Sequence, residues 1–254
     1  MLEITDVDVF PDFGHDYNII SWVVAPTTQS IDNFRLDIQR AYSPEDTFVT
    51  IGQGTSDTIT FTDSDVYLND RFRKYYYRLH VTDLTTLEEL DTDPSYSSYE
   101  WNAYSAEIAR RENLLLETYI NCPVKFLVRK TEGEYCDCFD PLKRRVKTSS
   151  CSGCYGTGFR GGFYNPIDGY IGSVPKTEAI RIVVGLEMTS TDPVFWTSNS
   201  LKLSPDDIIV DTKSNERFRV VRIETTSMEG YPLRQTLVCH QIKLSDIEYR
   251  IPTT

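Results

Sequence analysis

Two cysteine pairs, Cys136-Asp-Cys138 and Cys151-Ser-Gly-Cys154, stand twelve residues apart in a chain of 254. No other feature constrains the fold as much. Thiolates at this spacing close a tetrahedral metal site, and zinc is the ion that four cysteines suit. Gly153, Gly156 and Gly158 flank the second pair and allow turns tight enough for backbone amides to face the sulfurs. The first pair, C-x-C, makes a shorter knuckle than C-x2-C. The same residues also fit two disulfides or four buried thiols, but so local a cluster without a signal peptide favours metal.

Four sulfurs fill a tetrahedron and leave no position for water or substrate, so the expected role is structural. Residues 122 to 166 are rich in Gly, Ser, Lys and turn formers and carry few large aliphatics. This insert is therefore expected to bury little core and to need the metal for folding. Cys122 and Cys239 lie far apart in sequence and read as small buried apolar residues.

The net charge of −12 is uneven. Residues 1–100 hold 6 Lys and Arg against 19 Asp and Glu, which leaves 20 of the chain's 26 cations and 19 of its 38 acids for residues 101–254. An acidic first domain is a poor nucleic-acid binder, because phosphate contact needs clustered cations. The basic run Lys143, Arg144, Arg145 and Lys147 sits between the cysteine pairs and reads first as a solvated ribbon loop, with nucleic-acid contact as the alternative. No apolar run approaches the roughly 20 residues that cross a bilayer. The opening Met1-Leu-Glu-Ile has neither a basic nor an apolar leader region, so neither export by the general pathway nor a membrane partner is expected.

Four segments follow from the patterning. Residues 1–95 read as short strands (18–24, 33–40, 58–62 and 75–81), with Tyr75, Tyr77, Leu79 and Val81 on one face and Arg78 and His80 on the other. Asp6, Asp8, Asp12 and Asp16 read as Asp-rich turns that lack a calcium-loop pattern. Residues 96–121 read as a linking helix opened by a Ser97/Glu100 capping box, with Trp101, Tyr104, Ile108, Leu115 and Tyr119 as its apolar stripe and Pro123 as its stop. Residues 122–173 are the zinc-ribbon insert. Residues 174–254 read as a small β-barrel or sandwich with strands at 179–186, 207–211, 217–223 and 233–242. The fold class expected is mainly β.

Regular strand spacing, Trp22 on an early strand and Tyr-rich alternation on a late one resemble the fibronectin type III family over about 90 residues, which implies a β-sandwich with Trp22 in its core. Leu203-Ser-Pro-Asp-Asp-Ile-Ile-Val-Asp211, Glu216-Arg-Phe-Arg-Val-Val-Arg-Ile223 and Gln235-Thr-Leu-Val-Cys239 resemble the small β-domain of tailed-bacteriophage neck and connector proteins. Cys151-x-x-Cys154-x-Gly-x-Gly-Phe159 followed by Gly161-Gly-Phe-Tyr-x-Pro166 is similar to zinc-bearing neck proteins of large phages. It also resembles the zinc repeats of J-domain co-chaperones, but only one repeat and no His-Pro-Asp tripeptide are present.

The connector resemblance implies a structural virion protein of the neck or tail region, assembled in the host cytoplasm. Its copies self-associate in a ring between portal or adaptor and tail terminator or tube, and DNA passes through without sequence-specific binding. Ring contacts are expected from Phe218, Val220 and Ile223 or their opposite faces. The other readings are a baseplate or surface attachment module and a zinc-ribbon nucleic-acid binder. No enzyme is expected, since His15, His80 and His240 fall in separate segments and no Gly-x-Ser-x-Gly, zincin or phosphate-loop motif occurs.

Overall fold

A computed structural model describes residues 4–12, 17–25, 33–55, 57–66, 74–97, 103–148, 150–174 and 192–253. The N-terminal part contains β1 (Ile4–Asp12), β2 (Tyr17–Val24), β3 (Phe34–Ala41), β4 (Val49–Gly54), β5 (Thr60–Asp63), β6 (Tyr76–Asp83), β7 (Glu89–Asp91) and β8 (Ser95–Tyr96). Helix α1 (Ala103–Leu114) continues as a π-helical turn, Leu115–Ile120. There follow β9 (Pro123–Leu127), β10 (Phe139–Asp140), β11 (Arg145–Val146), β12 (Ile167–Tyr170), β13 (Gly172–Ser173), β14 (Val194–Ser198), β15 (Ile208–Asp211), β16 (Arg217–Met228) and β17 (Tyr231–Gln241). The chain is mainly β, as its patterning predicts.

Two antiparallel sheets, β1-β2-β5 and β4-β3-β6-β7 with β8 also on β6, share one core. Val9, Ile20, Trp22 and Val24 come from the first and Leu36, Ile38, Tyr77, Leu79 and Val81 from the second. The β6 alternation falls as predicted, because period-2 residues share a face. A polar network also ties the sheets together. Asp63 is buried and takes two hydrogen bonds from Arg40, at 2.9 and 2.7 Å. The Tyr77 hydroxyl donates to Asp63 at 2.8 Å and accepts from Asn18 at 2.9 Å. A buried carboxylate is tolerated when paired and hydrogen-bonded in this way.

The second body is a seven-stranded antiparallel sheet in the order β12-β9-β15-β16-β17-β14-β13. Both faces of its centre are covered. Val124, Phe126, Ile209, Val220 and Leu237 pack on one side, while Leu127, Ile208 and Val210 pack with Phe163, Ile242 and Ile251 on the other. Such burial is why Ile208-Ile209-Val210 is an unbroken apolar run.

Several expectations change here. Asp6, Asp8 and Asp12 lie on a strand, β1, and not in turns; Asp12 is buried and accepts from Asn113 at 3.4 Å, while Asp16 falls outside the described residues. Segments 123–127 and 167–173, read as ribbon, belong to the large sheet because β9 pairs with both β12 and β15. Val124, Phe126 and Leu127 are fully buried, so the low aliphatic content of this stretch concealed a core strand. The strand read at 179–186 and both Glu100 and Trp101 lie outside the described residues.

The helix shows the opposite face from the one expected. Its buried residues are Ser105, Ala106, Ala109 and Asn113, with Leu116 in the π-turn, whereas Tyr104 and Tyr119 are each 75% exposed. Small side chains face inward because Ala109 packs against Phe10, Ile19 and Tyr231, and aromatic bulk there leaves room for little more than a methyl group. Phe218 and Val220, offered as subunit contacts, are core residues. A bulge between Val220 and Arg222 throws Val221 outward instead.

Replacing Tyr77 by Phe removes the shared hydroxyl and leaves Asp63 and Asn18 short of partners. The expected cost is about 1–3 kcal/mol in urea unfolding. Asp207 gives a pH test. It accepts from the backbone amides of Arg129 at 2.8 Å and Ser204 at 2.6 Å, yet burial pushes its pKa from 3.8 up to about 7. The folded state holds this proton more tightly than the unfolded one, so its contribution is full below pH 3.8 and stability falls as pH rises to about 7. Asp207→Asn is expected to flatten that slope; an unchanged slope would assign it to other groups.

Candidate metal centre

The ribbon is a long extension of one hairpin. It leaves after β9 and returns into β12, and the ladder continues through the Arg129–Phe163 bridge and bonds from Tyr164 N to Val128 O and Lys130 N to Gly162 O. Its base is clamped to the N-terminal body. Buried Lys130 meets Asp57 at 2.6 Å and the Arg160 carbonyl at 3.2 Å, with the Tyr164 ring beneath its ammonium. Asn165 N donates to the Asp57 carbonyl at 2.9 Å.

At the far end the structure brings together Cys136, Cys138, Cys151 and Cys154, the four residues expected as ligands. Their sulfurs lie within 4.8 Å of one another. All four are free thiols, with Cys136 and Cys151 3.8 Å apart and Cys138 and Cys154 3.3 Å apart. Metal–thiolate bonds of about 2.3 Å give a tetrahedron with edges of about 3.8 Å, so the cluster is close to the size that an ion requires. Four cysteines can therefore hold a metal ion here.

Each pair sits in a short turn whose amides turn toward sulfur. The Gly153 amide donates to Cys151 and the Cys138 amide to Cys136. A Cβ on Gly153 would stand 3.3 Å from the Cys136 sulfur, a tight approach. Gly162 holds a positive φ of 71°, and a Cβ there would lie 2.5 Å from the Cys154 carbonyl oxygen.

The sulfurs hold their protons unequally. Hydrogen bonding from Cys138 and then from the Gly153 amide pulls Cys151 down to about 7, while burial pushes Cys138 and Cys136 up. Cys151 thus offers a thiolate before Cys136 and Cys138 do. The pairs are joined by Cys136 N to Gly158 O and Lys147 N to Cys138 O. Tyr135 stacks between Phe139 at 4.5 Å and Phe159 at 5.3 Å, a small apolar wall beside the site.

The remaining candidates separate. Cys239 is buried in the core of the large sheet and Cys122 packs at its margin, with burial raising both thiols. Lys143, Arg144, Arg145 and Lys147 are exposed on and beside the β10–β11 hairpin. His80 meets Asp91 at 2.7 Å and His240 meets Asp192 at 3.1 Å, on different sheets; His15 lies outside the described residues.

Patterning gave no sign of one further feature. A cleft of about 520 Å³ runs between the two bodies and the π-turn, lined in part by Thr60, Thr62, Thr197, Ser198 and Glu117. It depends on elements far apart in sequence. Among the described residues no helix is long and apolar enough to cross a membrane. Compared with models of known protein families and with curated proteins, the chain matches none.

If an ion closes the site, a chelator is expected to expose the amides of Cys136, Lys147 and Tyr155 to hydrogen exchange while Val124–Leu127 stay protected, because β9 is held by the sheet. Equal protection with and without chelator would show that the cluster folds without an ion.

Proposed function

We propose that this chain is a structural component of a tailed-phage particle, a ring-forming neck or connector protein in which zinc closes the four-cysteine site. The observation that carries this reading is the arrangement of the three connector-like phrases. They fold as neighbours in one sheet, β15 against β16 and β16 against β17, with Phe218, Val220, Leu237 and Cys239 in a common core. A pattern spread along the sequence thus becomes one rigid wall.

Two further features support it. Zinc suits four thiolates because they are soft and leave the tetrahedron no open position. The acidic N-terminal body is fastened to the wall by the Phe10–Tyr231 stack at 5.5 Å, the Tyr231 hydroxyl on the Pro11 carbonyl at 3.0 Å and the Lys130–Asp57 pair. A body so acidic would be repelled by DNA, so in a ring it belongs on the outside. The opposite face of β16, carrying exposed Val221 and Arg222, is then available to neighbours.

Cryo-electron microscopy of the native particle tests the placement, with a symmetric ring between portal and tail as the expected result. Finding the chain at a baseplate, on fibres or free as a monomer would defeat it. Elemental analysis of the chain as isolated is expected to give about one zinc per polypeptide.

A further inference from the structure

Two exposed tips of the molecule are complementary. The first is the β10–β11 hairpin. Its turn is fixed by the Asp140 carboxylate, which accepts from the amides of Leu142 at 3.1 Å and Lys143 at 3.2 Å, and by Arg144 at a φ of 48°. Lys147 N ties its base to the Cys138 carbonyl. This rigid tip presents Leu142, 95% exposed, within a rim of Lys143, Arg144, Arg145 and Lys147. Among the described residues none of these four cations pairs with a carboxylate.

The second is the β6–β7 hairpin of the acidic body. Its turn is fixed by the Asp83 carboxylate, which accepts from Thr85 at 2.8 Å and Thr86 at 3.2 Å. Leu84, Leu87 and Leu90 are exposed there, with exposed Glu88, Glu89, Asp91 and Asp93 around them. Asp91 is engaged by Arg78 and His80, and Glu89 lies 4.0 Å from His80. Glu88 and Asp93 pair with no cation among the described residues.

We infer that the Leu142 tip of one copy docks on the β6–β7 hairpin of the next. This inference rests on the ring reading and names the contact that would close it. Apolar centres of matching kind are rimmed by opposite charges, and each tip is already rigid, so little conformational freedom is lost on contact. The two surfaces differ, so the contact is head-to-tail, the kind that closes into rings. DNA phosphate would satisfy the four cations but offers no partner for Leu142.

The full chain carrying a photo-crosslinking residue at Leu142 (Leu142→p-benzoylphenylalanine), mixed with isotope-labelled copies, tests the contact. Cross-links between copies to residues 84–93 are expected. In parallel, Lys143→Glu/Arg144→Glu/Arg145→Glu is expected to weaken self-association about tenfold or more at roughly 0.1 M salt, and adding Glu88→Lys/Glu89→Lys/Asp93→Lys is expected to restore it to within about threefold. An assembled ring whose cross-links map elsewhere overturns this contact and leaves the ring reading standing, as does a ring indifferent to the reversal. Salt-dependent DNA retention that is lost on reversal while assembly is unchanged assigns the tip to nucleic acid. A chain that stays monomeric at low salt overturns both the contact and the ring.

Discussion

Burial of both faces of β9 and β15 is the constraint on which the rest of the molecule depends. An antiparallel sheet with one wet face needs only alternating apolar residues. Here Leu127, Ile208 and Val210 must be covered as well, and the cover comes from Phe163 and from the C-terminal Ile242 and Ile251. Arg217 secures that cover: its guanidinium donates to the carbonyls of Glu248 and Ile251. The C-terminal segment is thus part of the core.

The same arrangement positions the metal centre. Because the ribbon is inserted between β9 and β12, which pair with each other, its two ends leave the sheet side by side and stay in register through Tyr164 and Lys130. A hairpin held at its base needs little more than one crosslink at its tip to become rigid, and four thiols close enough to hold an ion could supply it at the cost of very few core residues. With an ion held at the tip, Leu142 and its neighbouring cations would have a fixed direction. A loop without those anchors would have to be ordered on binding, and affinity would fall accordingly.

The acidic body is attached by a mixed surface. Phe10, Ile19, Ala109 and Tyr231 form its apolar part, and Ser105 on the Met228 carbonyl, Asn113 on Asp12 and Lys130 on Asp57 form its polar part. Helix α1 lies between the bodies, and the π-turn ends against Asn121, whose amide reaches the Leu116 carbonyl at 2.8 Å. Extra turn width of this kind is uncommon in helices and often accompanies a functional surface. Here it borders the cleft between the bodies.

Local features were legible in the sequence, because they are set by neighbours along the chain. The cysteine spacing identified all four sulfurs of the cluster, and period-2 alternation identified the buried face of β6. Three central strands of the large sheet could also be located, although β16 runs five residues past its predicted end at Ile223. Partners distant in sequence decided the rest. Nothing within Pro123–Leu127 announces a core strand; it becomes one only because Ile208–Asp211 lies beside it. Helix α1 turned its small residues inward because the surface it meets is built from Phe10 and Tyr231, one before the helix and one long after. Hydrophobicity along a segment tells which residues favour burial, but only the shape of the opposing surface determines which of them fit.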